Sequence, residues 1–242
     1  MKKNDVEISA RMLALTKMVS KGLKVCDIGC DHGFVSIYLV QKQIAPKVFA
    51  MDVRSGPLSQ AQAHIKQYGL DSQIETRLSD GLQKLLPGEA ECMVCAGMGG
   101  PLMIKILEEG KAQAKAMKEL ILQPQSEIAE FRKYLRENGY HIIQEDMVFE
   151  DGKYYPMMKV VPETDQIATD DEGSIKQQIF DMFGQYLLEH KHPVLKQYLE
   201  HSLDVTRMLI GKLQEQQGER ALARLPEVEK ELKQIQEALG YF

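Results

Sequence analysis

The chain has 242 residues, of which 44% are hydrophobic, and its net charge is −5 at pH 7. This composition excludes wholesale disorder, and no stretch approaches the ~20 apolar residues that a transmembrane helix needs. The first residues lack the apolar core of a signal peptide, and four cysteines are few for a disulfide-built secreted domain. We therefore expect a cytoplasmic globular protein that does not bind a membrane.

Short apolar runs alternate with amphipathic segments over the first part of the chain. The predicted strands are residues 24–28, 48–52, 74–78, 91–96 and 119–122. The predicted helices are residues 34–42, 57–67, 101–109 and 127–138. This alternation is typical of a parallel sheet with helices on both faces.

The pattern changes after residue 140. Residues 141–150 and 153–161 are two strand-like runs on either side of Asp151-Gly152, a pair that favours a tight hairpin turn. A dinucleotide-binding fold would continue with parallel units instead. We therefore predict an α/β protein with a Rossmann-like, mostly parallel sheet that ends in an antiparallel hairpin.

The last third of the chain differs in charge and periodicity. Residues 163–242 carry 9 basic and 15 acidic residues, a net of −6, against 21 and 20, a net of +1, in residues 1–162. Residues 164–173 read as a polar linker, and a heptad seam runs through Val228, Leu232, Ile235 and Leu239, with Pro226 near the predicted helix start. We predict a first domain over 1–162 and a helical coiled-coil domain over 163–242, in which two or three long helices pack antiparallel.

The first strand leads into a loop rich in glycine and aspartate, residues 27–33 (DIGCDHG). Such loops bind either a dinucleotide pyrophosphate, through backbone N–H groups, or S-adenosylmethionine. A pyrophosphate would meet Asp27 and Asp31, and two like unit charges about 4 Å apart repel by roughly 4 kcal/mol at an effective dielectric of 20. The ammonium and sulfonium groups of S-adenosylmethionine would be attracted instead, so the loop favours this methyl donor over NAD.

Acidic residues also follow the next two strands. Asp52 ends the second strand, where a carboxylate can accept the ribose hydroxyls, and Asp80 follows the third, where it can accept the adenine amine. A lone aspartate is more often a cap or loop residue. Three of them at one edge of a parallel sheet favour a ligand site, because ligands bind at the carboxyl ends of such strands.

The fourth and fifth strands lead into the predicted substrate side. Residues 96–101 (AGMGGP) lack the acidic or amide residue, two prolines and aromatic with which methyltransferases of exocyclic amines hold an NH₂ group. Glycines here allow either close approach of the backbone to a ligand or a tight turn. Cys92 and Cys95 lie three apart on a strand, so they face opposite sides and are read as buried thiols, with no metal site.

The chain resembles the bacterial TrmK family, which methylates N1 of adenine 22 in tRNA. The resemblance rests on residues 27–33, 79–82 (SDGL), 96–100 (AGMGG), 122–124 (LQP) and 150–153 (EDGK), and on residues 9–12 (SARM). It implies a class I S-adenosylmethionine-dependent methyltransferase with tRNA as substrate. Two positions differ from the usual family pattern. Cys30 stands where the family usually has a small hydroxyl residue, and Gln125 stands where an asparagine is common.

Two sets of site residues follow from the loops and from the resemblance. The predicted cofactor-binding residues are Asp27, Gly29, Asp31, His32, Gly33, Asp52, Val53, Asp80, Gly81 and Gly97. The candidate substrate-binding residues are Arg11, Met98, Gly99, Gln123 and Tyr154. No catalytic residue is assigned, because N1 of adenine is already a lone-pair nucleophile and positioning can supply much of the acceleration.

Contacts to RNA are expected from aromatic and basic side chains. Tyr154 and Tyr155 are candidates to stack on the target base, whereas Phe34 is expected in the core. The basic clusters are Lys2, Lys3, Arg11, Lys17, Lys21 and Lys24; Lys111, Lys115 and Lys118; and Arg132, Lys133 and Arg136. The alternatives are a methyltransferase of a small molecule or a protein, and a non-catalytic module that binds the cofactor. The oligomeric state, monomer or dimer, is left open.

Overall fold

The computed structural model describes residues 5–162, 174–215 and 218–242. The chain divides into two compact units, Met1–Ala168 and Thr169–Phe242. The linker predicted over residues 164–173 and the lysines at positions 2 and 3 lie outside the described residues. The boundary at residue 162 remains a prediction.

The first unit contains a seven-stranded sheet. Its strands are β1 (Val25–Ile28), β2 (Val48–Asp52), β3 (Ile74–Leu78), β4 (Cys92–Met98), β5 (Glu119–Pro124), β6 (Tyr140–Glu150) and β7 (Lys153–Pro162). Their order is β3-β2-β1-β4-β5-β7-β6. The first five strands are parallel, and β7 runs antiparallel to both β5 and β6. The predicted Rossmann-like sheet with a terminal hairpin is confirmed.

Over the described residues of this unit, six helices cover the two faces of the sheet. They are α1 (Ala10–Met18), α2 (Phe34–Gln41), α3 (Ser55–Tyr68), α4 (Gly100–Glu109), α5 (Lys111–Lys115) and α6 (Ile128–Glu137). Each face of the sheet carries a core in which strand side chains pack against helices. One core includes buried side chains of α1, α2 and α3, and the other includes those of α4, α5 and α6. Cys92 lies in the first core and Cys95 in the second, and both are free buried thiols, as the strand register requires.

The second unit is helical, as predicted. It contains α7 (Ile175–Phe183), α8 (Gln185–Glu189), α9 (Pro193–Glu215) and α10 (Glu219–Leu239), and the two long helices α9 and α10 pack against each other. The predicted helix start near Pro226 is wrong, because this proline lies inside α10. Ala221, Val228 and Ile235 are buried at a spacing of seven residues, so the buried face begins before the proline. Packing of that face outweighs the roughly 3 kcal/mol cost of an internal proline.

In the part of the chain that the structure describes, no helix is both long and apolar enough to cross a membrane.

Candidate functional site

A cleft of about 400 Å³ opens at the carboxyl ends of the parallel strands. It lies where β1 and β4 are neighbours and the strand order reverses, which is where sheets of this kind bind ligands. Seven predicted cofactor residues line it, namely Gly29, Asp31, Asp52, Val53, Asp80, Gly81 and Gly97, together with the substrate candidates Arg11 and Met98. The other predicted site residues, Asp27, His32, Gly33, Gly99, Gln123 and Tyr154, do not line its wall.

Asp27 lies beneath the cleft and not on its surface. Its side chain is buried, and its Oδ2 accepts a 2.6 Å hydrogen bond from the Ser36 hydroxyl at the start of α2. Burial raises the pKa of Asp27 to about 6, against the ordinary value of 3.8. Burial disfavours the charged form of a carboxylate, whereas a nearby cation favours it. A cationic ligand bound close to Asp27 would therefore promote ionisation of its side chain.

Gly29 has no side chain for a steric reason. Its φ of +73° lies in the left-handed region, and a Cβ added there would come within 2.2 Å of Met98 Cε. The left-handed backbone favours glycine at this position, whereas the Met98 methyl is the end of a flexible side chain that can move aside. Gly29 and Met98 both line the cleft.

Asp52 is held at the end of β2 by the loop backbone. Its Oδ1 accepts a hydrogen bond from the N–H of Arg54 at 2.8 Å, and its Oδ2 accepts one from the N–H of Asp31 at 3.3 Å. The side chain is 3% exposed, and Arg54 Nε lies 3.6 Å from Oδ1. The carboxylate is thus fixed with lone pairs left to accept the hydroxyls of a ligand.

Asp80, after β3, is half-exposed at the other side of the cleft. Lys105 Nζ lies 4.0 Å from its Oδ2. The neighbouring Ser79 hydroxyl donates to the carbonyl of Gly81 at 2.9 Å, which shapes the turn that carries the aspartate. Asp80 therefore lines the cleft with a carboxylate that is open to solvent, and its role as an acceptor of an exocyclic amine stays a prediction.

The glycines after β4 do two different things. Gly97, with φ of +80°, lines the cleft. Gly99 and Gly100 instead pack against the loop before α6, where a Cβ on Gly100 would lie 2.7 Å from the Ser126 carbonyl oxygen. Close approach to a ligand thus stays a prediction for Gly97 alone, and strand-to-helix packing explains the other two.

Arg11 and Gln123 form a pair that joins α1 to β5. Arg11 Nη1 donates to Gln123 Oε1 at 2.7 Å, and Gln123 is fully buried. The Arg11 guanidinium lies over the ring of Tyr155, 4.8 Å from its centroid. Sequence reasoning named Arg11 and Gln123 separately but not their contact, and it missed Glu150, whose Oε1 accepts the Arg11 backbone N–H at 3.0 Å.

Of the aromatic expectations, the one for Phe34 is wrong, and those for Tyr154 and His32 stay predictions. Tyr154 contacts Phe149 with the two rings tilted by 42°, at 4.6 Å between centroids, and neighbouring strand residues such as Tyr154 and Tyr155 face opposite sides of the sheet. Phe34, expected in the core, is 38% exposed because it opens α2 at the surface, where it lies 4.8 Å from the His64 ring. His32 lies 6.0 Å from Phe34 in the same ring cluster, outside the cleft wall.

The predicted basic clusters are not equivalent. Arg132 is buried in an ion pair with Glu145 at 2.9 Å, so the third cluster is smaller than predicted. Lys24 and Lys118 directly precede β1 and β5, so they lie at the amino ends of the strands, opposite the cleft. Basic residues nearer the cleft are Arg54 and Lys105, and Lys153 is the first residue of β7, directly after the hairpin turn.

The charge of the cleft suits a cationic ligand. Three carboxylates, from Asp31, Asp52 and Asp80, line it and outnumber the two guanidinium groups, from Arg11 and Arg54. The carboxylates would repel a pyrophosphate. Together with Gly29 and Gly97 they form a site that fits S-adenosylmethionine. Among the described residues, no group of three or more histidine, cysteine or acidic side chains is arranged to hold a metal ion.

Comparisons with known proteins agree with this geometry. Residues 8–158 match a family model described as "Methyltransferase domain". The chain is 30% identical over 236 residues to the tRNA (adenine(22)-N(1))-methyltransferase of Bacillus subtilis, covering 96% of this chain and 98% of that protein. The chain belongs to the TrmK family of methyltransferases.

Solved TrmK structures share the whole fold. The crystal structure of B. subtilis TrmK is 28% identical with a TM-score of 0.82, covering 97% of this chain and 99% of that one. A Streptococcus pneumoniae relative, solved in complex with S-adenosyl-L-methionine, is 26% identical with a TM-score of 0.82. That match covers 96% of this chain and all of the relative, so both units of this TrmK-family protein are included.

Proposed function

We propose that this protein transfers a methyl group from S-adenosylmethionine to N1 of adenine 22 in tRNA. The observation that carries the proposal is the near full-length match to the B. subtilis enzyme, combined with a cleft lined by carboxylates and glycines. The same match favours tRNA over the small-molecule and protein acceptors. A tRNA substrate would place the protein in the cytoplasm.

The side chains of the cleft have roles that follow from their chemistry. S-adenosylmethionine, when bound, supplies a methyl group on a positively charged sulfur. We propose that Asp52 accepts hydrogen bonds from the ribose hydroxyls of the donor and that Asp80 accepts one from its adenine amine. Asp27 and Asp31 would add negative charge around the cationic amino-acid end, with Gly29 and Gly97 leaving room for it.

The reaction at N1 asks little of the protein in acid–base terms. The N1 lone pair is available at neutral pH, so attack needs no strong base. Holding the lone pair in line with the methyl group can contribute a large part of the acceleration by proximity and orientation. Because N1 lies on the pairing edge, the base must first be unstacked, and the loop after β4 is the proposed place for it. Met98, which lines the cleft there, is the proposed contact.

The helical unit has a proposed part in binding tRNA. Support comes from the comparison, because the match to the B. subtilis enzyme extends over this unit as well. A variant lacking residues 163–242 is expected to bind S-adenosylhomocysteine normally but to methylate tRNA more slowly. Unchanged methylation by that variant would refute a substrate role for the helical unit.

The proposed methyl acceptor is tested by incubating the protein and labelled S-adenosylmethionine with each class of substrate separately. Unmodified tRNA should take up label from S-adenosylmethionine, whereas tRNA-free protein extract and small-molecule extract should not. Asp52→Ala is the matched control, since loss of the proposed ribose acceptor should weaken S-adenosylhomocysteine binding and remove label together. Label in protein or small molecules, with none in tRNA, would contradict the proposal.

A further inference from the structure

Three aromatic rings, those of His32, Phe34 and His64, meet on the surface and are called here the ring cluster. The Phe34 and His64 rings lie 4.8 Å apart between centroids, with 19° between their planes. The His32 ring lies 6.0 Å from Phe34 and 6.1 Å from His64. Phe34 is 38% exposed and the His32 side chain is 42% exposed, so the ring cluster presents open ring surface to solvent.

The backbone holds the ring cluster in place. The Nδ1 atom of His64 lies 3.0 Å from the carbonyl oxygen of His32, and since a carbonyl only accepts, Nδ1 carries the proton in this contact. Gly33 has a φ of +77°, and a Cβ on it would lie 3.1 Å from the Ala61 Cβ. This close approach brings the start of α2 against α3 and sets Phe34 beside His64, which follows Ala61 by one helical turn.

The ring cluster adjoins the cleft without forming part of it. Asp31 lines the cleft, and the next residue, His32, does not. Phe34 and His64 also lie outside the lining residues. A ligand that covers these rings is therefore separate from the methyl donor in the cleft.

The segment that carries the ring cluster is basic. Residues 32–70 carry four basic residues and one acidic residue, a net of +3 in a chain whose net charge is −5. The acidic residue, Asp52, is buried, and α3 contains no acidic side chain. Asp31, just before this segment, lies 3.9 Å from Arg54, which offsets its charge. The basic residues are Lys42, Lys47, Arg54 and Lys66.

RNA combines the two features that this surface can recognise, since its bases stack on aromatic rings and its phosphates are attracted to basic side chains. An adenine that is methylated at N1 must first be unstacked, so an adjacent base loses one of its stacking partners. An exposed aromatic ring can replace that partner whatever the base, because every base has a face that stacks. Rings outside the cleft suit such a neighbour and not the methylated adenine itself.

We propose that Phe34, supported by the other two members of the ring cluster, stacks on an unpaired base of tRNA that neighbours the methylated adenine. This inference rests on the proposed function, because it requires tRNA as the substrate. It gives substrate binding to a residue that sequence analysis placed in the core.

The first test uses tryptophan fluorescence, because the chain contains no tryptophan. Phe34→Trp places a single indole in the ring cluster. Leu86→Trp, the matched control, places one at another exposed apolar position, whose backbone N–H donates to Glu89. Saturating tRNA should quench the fluorescence of Phe34→Trp strongly and that of Leu86→Trp little, whereas inorganic polyphosphate, an anion without bases, should quench neither. Equal quenching of Phe34→Trp by polyphosphate and by tRNA, or no quenching by tRNA, would overturn the stacking role.

The second test is steady-state methylation of tRNA. Phe34→Ala should raise KM for tRNA about 5- to 150-fold, the range for loss of one base–aromatic contact, with kcat little changed. Phe34→Tyr should return KM close to the wild-type value, whereas Phe34→Leu, which is apolar but not aromatic, should not. Affinity for S-adenosylhomocysteine, measured by calorimetry, should be the same in the wild type and all three variants, since the ring cluster lies outside the cleft wall.

Failure of this inference differs from failure of the proposed function. A wild type that methylates tRNA, together with an unchanged KM in Phe34→Ala, refutes the stacking role and leaves the function standing. Weaker binding of S-adenosylhomocysteine by Phe34→Ala, with KM for tRNA unchanged, would mean that the ring cluster only shapes the loop after β1, which also refutes it. A wild type that methylates no tRNA would overturn the proposed function itself.

Discussion

Asp27 provides the most direct link between the cleft and the stability of the protein. Its pKa is raised by burial to about 6, whereas the ordinary value is 3.8. The unfolded chain therefore releases this proton at lower pH than the folded protein does. The stability associated with protonated Asp27 is fully present below pH 3.8 and is lost as the pH rises through about 6.

The size of this effect follows from the two pKa values. At 1.36 kcal/mol for each tenfold change, ionised Asp27 costs about 3 kcal/mol at pH 8 and about 1 kcal/mol at pH 4.5. Asp27→Asn removes this cost but replaces one carboxylate oxygen with an NH₂ group, which weakens the acceptor that faces Ser36, a fixed loss of about 1 kcal/mol. The change in unfolding free energy on substitution should thus be about 2 kcal/mol more favourable at pH 8 than at pH 4.5.

The assay is urea unfolding of wild type and Asp27→Asn at both pH values without ligand. Asp31→Asn is the control, since this exposed carboxylate lies on the same loop and its substitution should change stability little at either pH. The same Asp27→Asn protein should bind S-adenosylhomocysteine more weakly. An equal effect of Asp27→Asn on stability at the two pH values would refute the reasoning.

Three other substitutions test the site and its scaffold. Lys153→Glu, at the start of β7, should raise KM for tRNA several-fold and reduce the salt dependence of binding, whereas Lys21→Glu, on the segment that precedes β1, should not; steady-state methylation at two salt concentrations checks this. Gly100→Ala should lower the melting temperature, because a Cβ there lies 2.7 Å from a carbonyl oxygen, while Gly56→Ala, with open space around it, should not. Glu145→Gln should cost about 3 kcal/mol in urea unfolding, because it breaks a buried ion pair, and near-wild-type stability would contradict that assignment.

The sheet could be predicted because its signals are local. Apolar runs gave the strands, and Asp151-Gly152 supplied the hairpin turn, where both residues have positive φ. Helix α1 was not predicted, and its first turn is tied to a distant residue, Glu150, which accepts the backbone N–H of Arg11. Pro226 misled the prediction of α10 because helix packing overrides a local propensity.

The site was predictable to the extent that it follows strand ends. Asp52, Asp80 and Gly97 lie on the cleft because the carboxyl ends of parallel strands meet at one edge. The support of Arg11 was not predictable, because its partners Gln123 and Glu150 are 112 and 139 residues away along the chain. No local pattern encodes such contacts, and the buried amide of Gln123 is explained only by the folded structure.

The central claim is most directly tested by methyl transfer to two tRNAs that differ at one nucleotide. One has adenine at position 22, and the other has guanine there. The account predicts label from S-adenosylmethionine in the first tRNA alone, located at N1 of that adenine. Equal label in both tRNAs would place the methylated nucleotide elsewhere and contradict the assigned specificity, and no label in either would contradict the reaction itself.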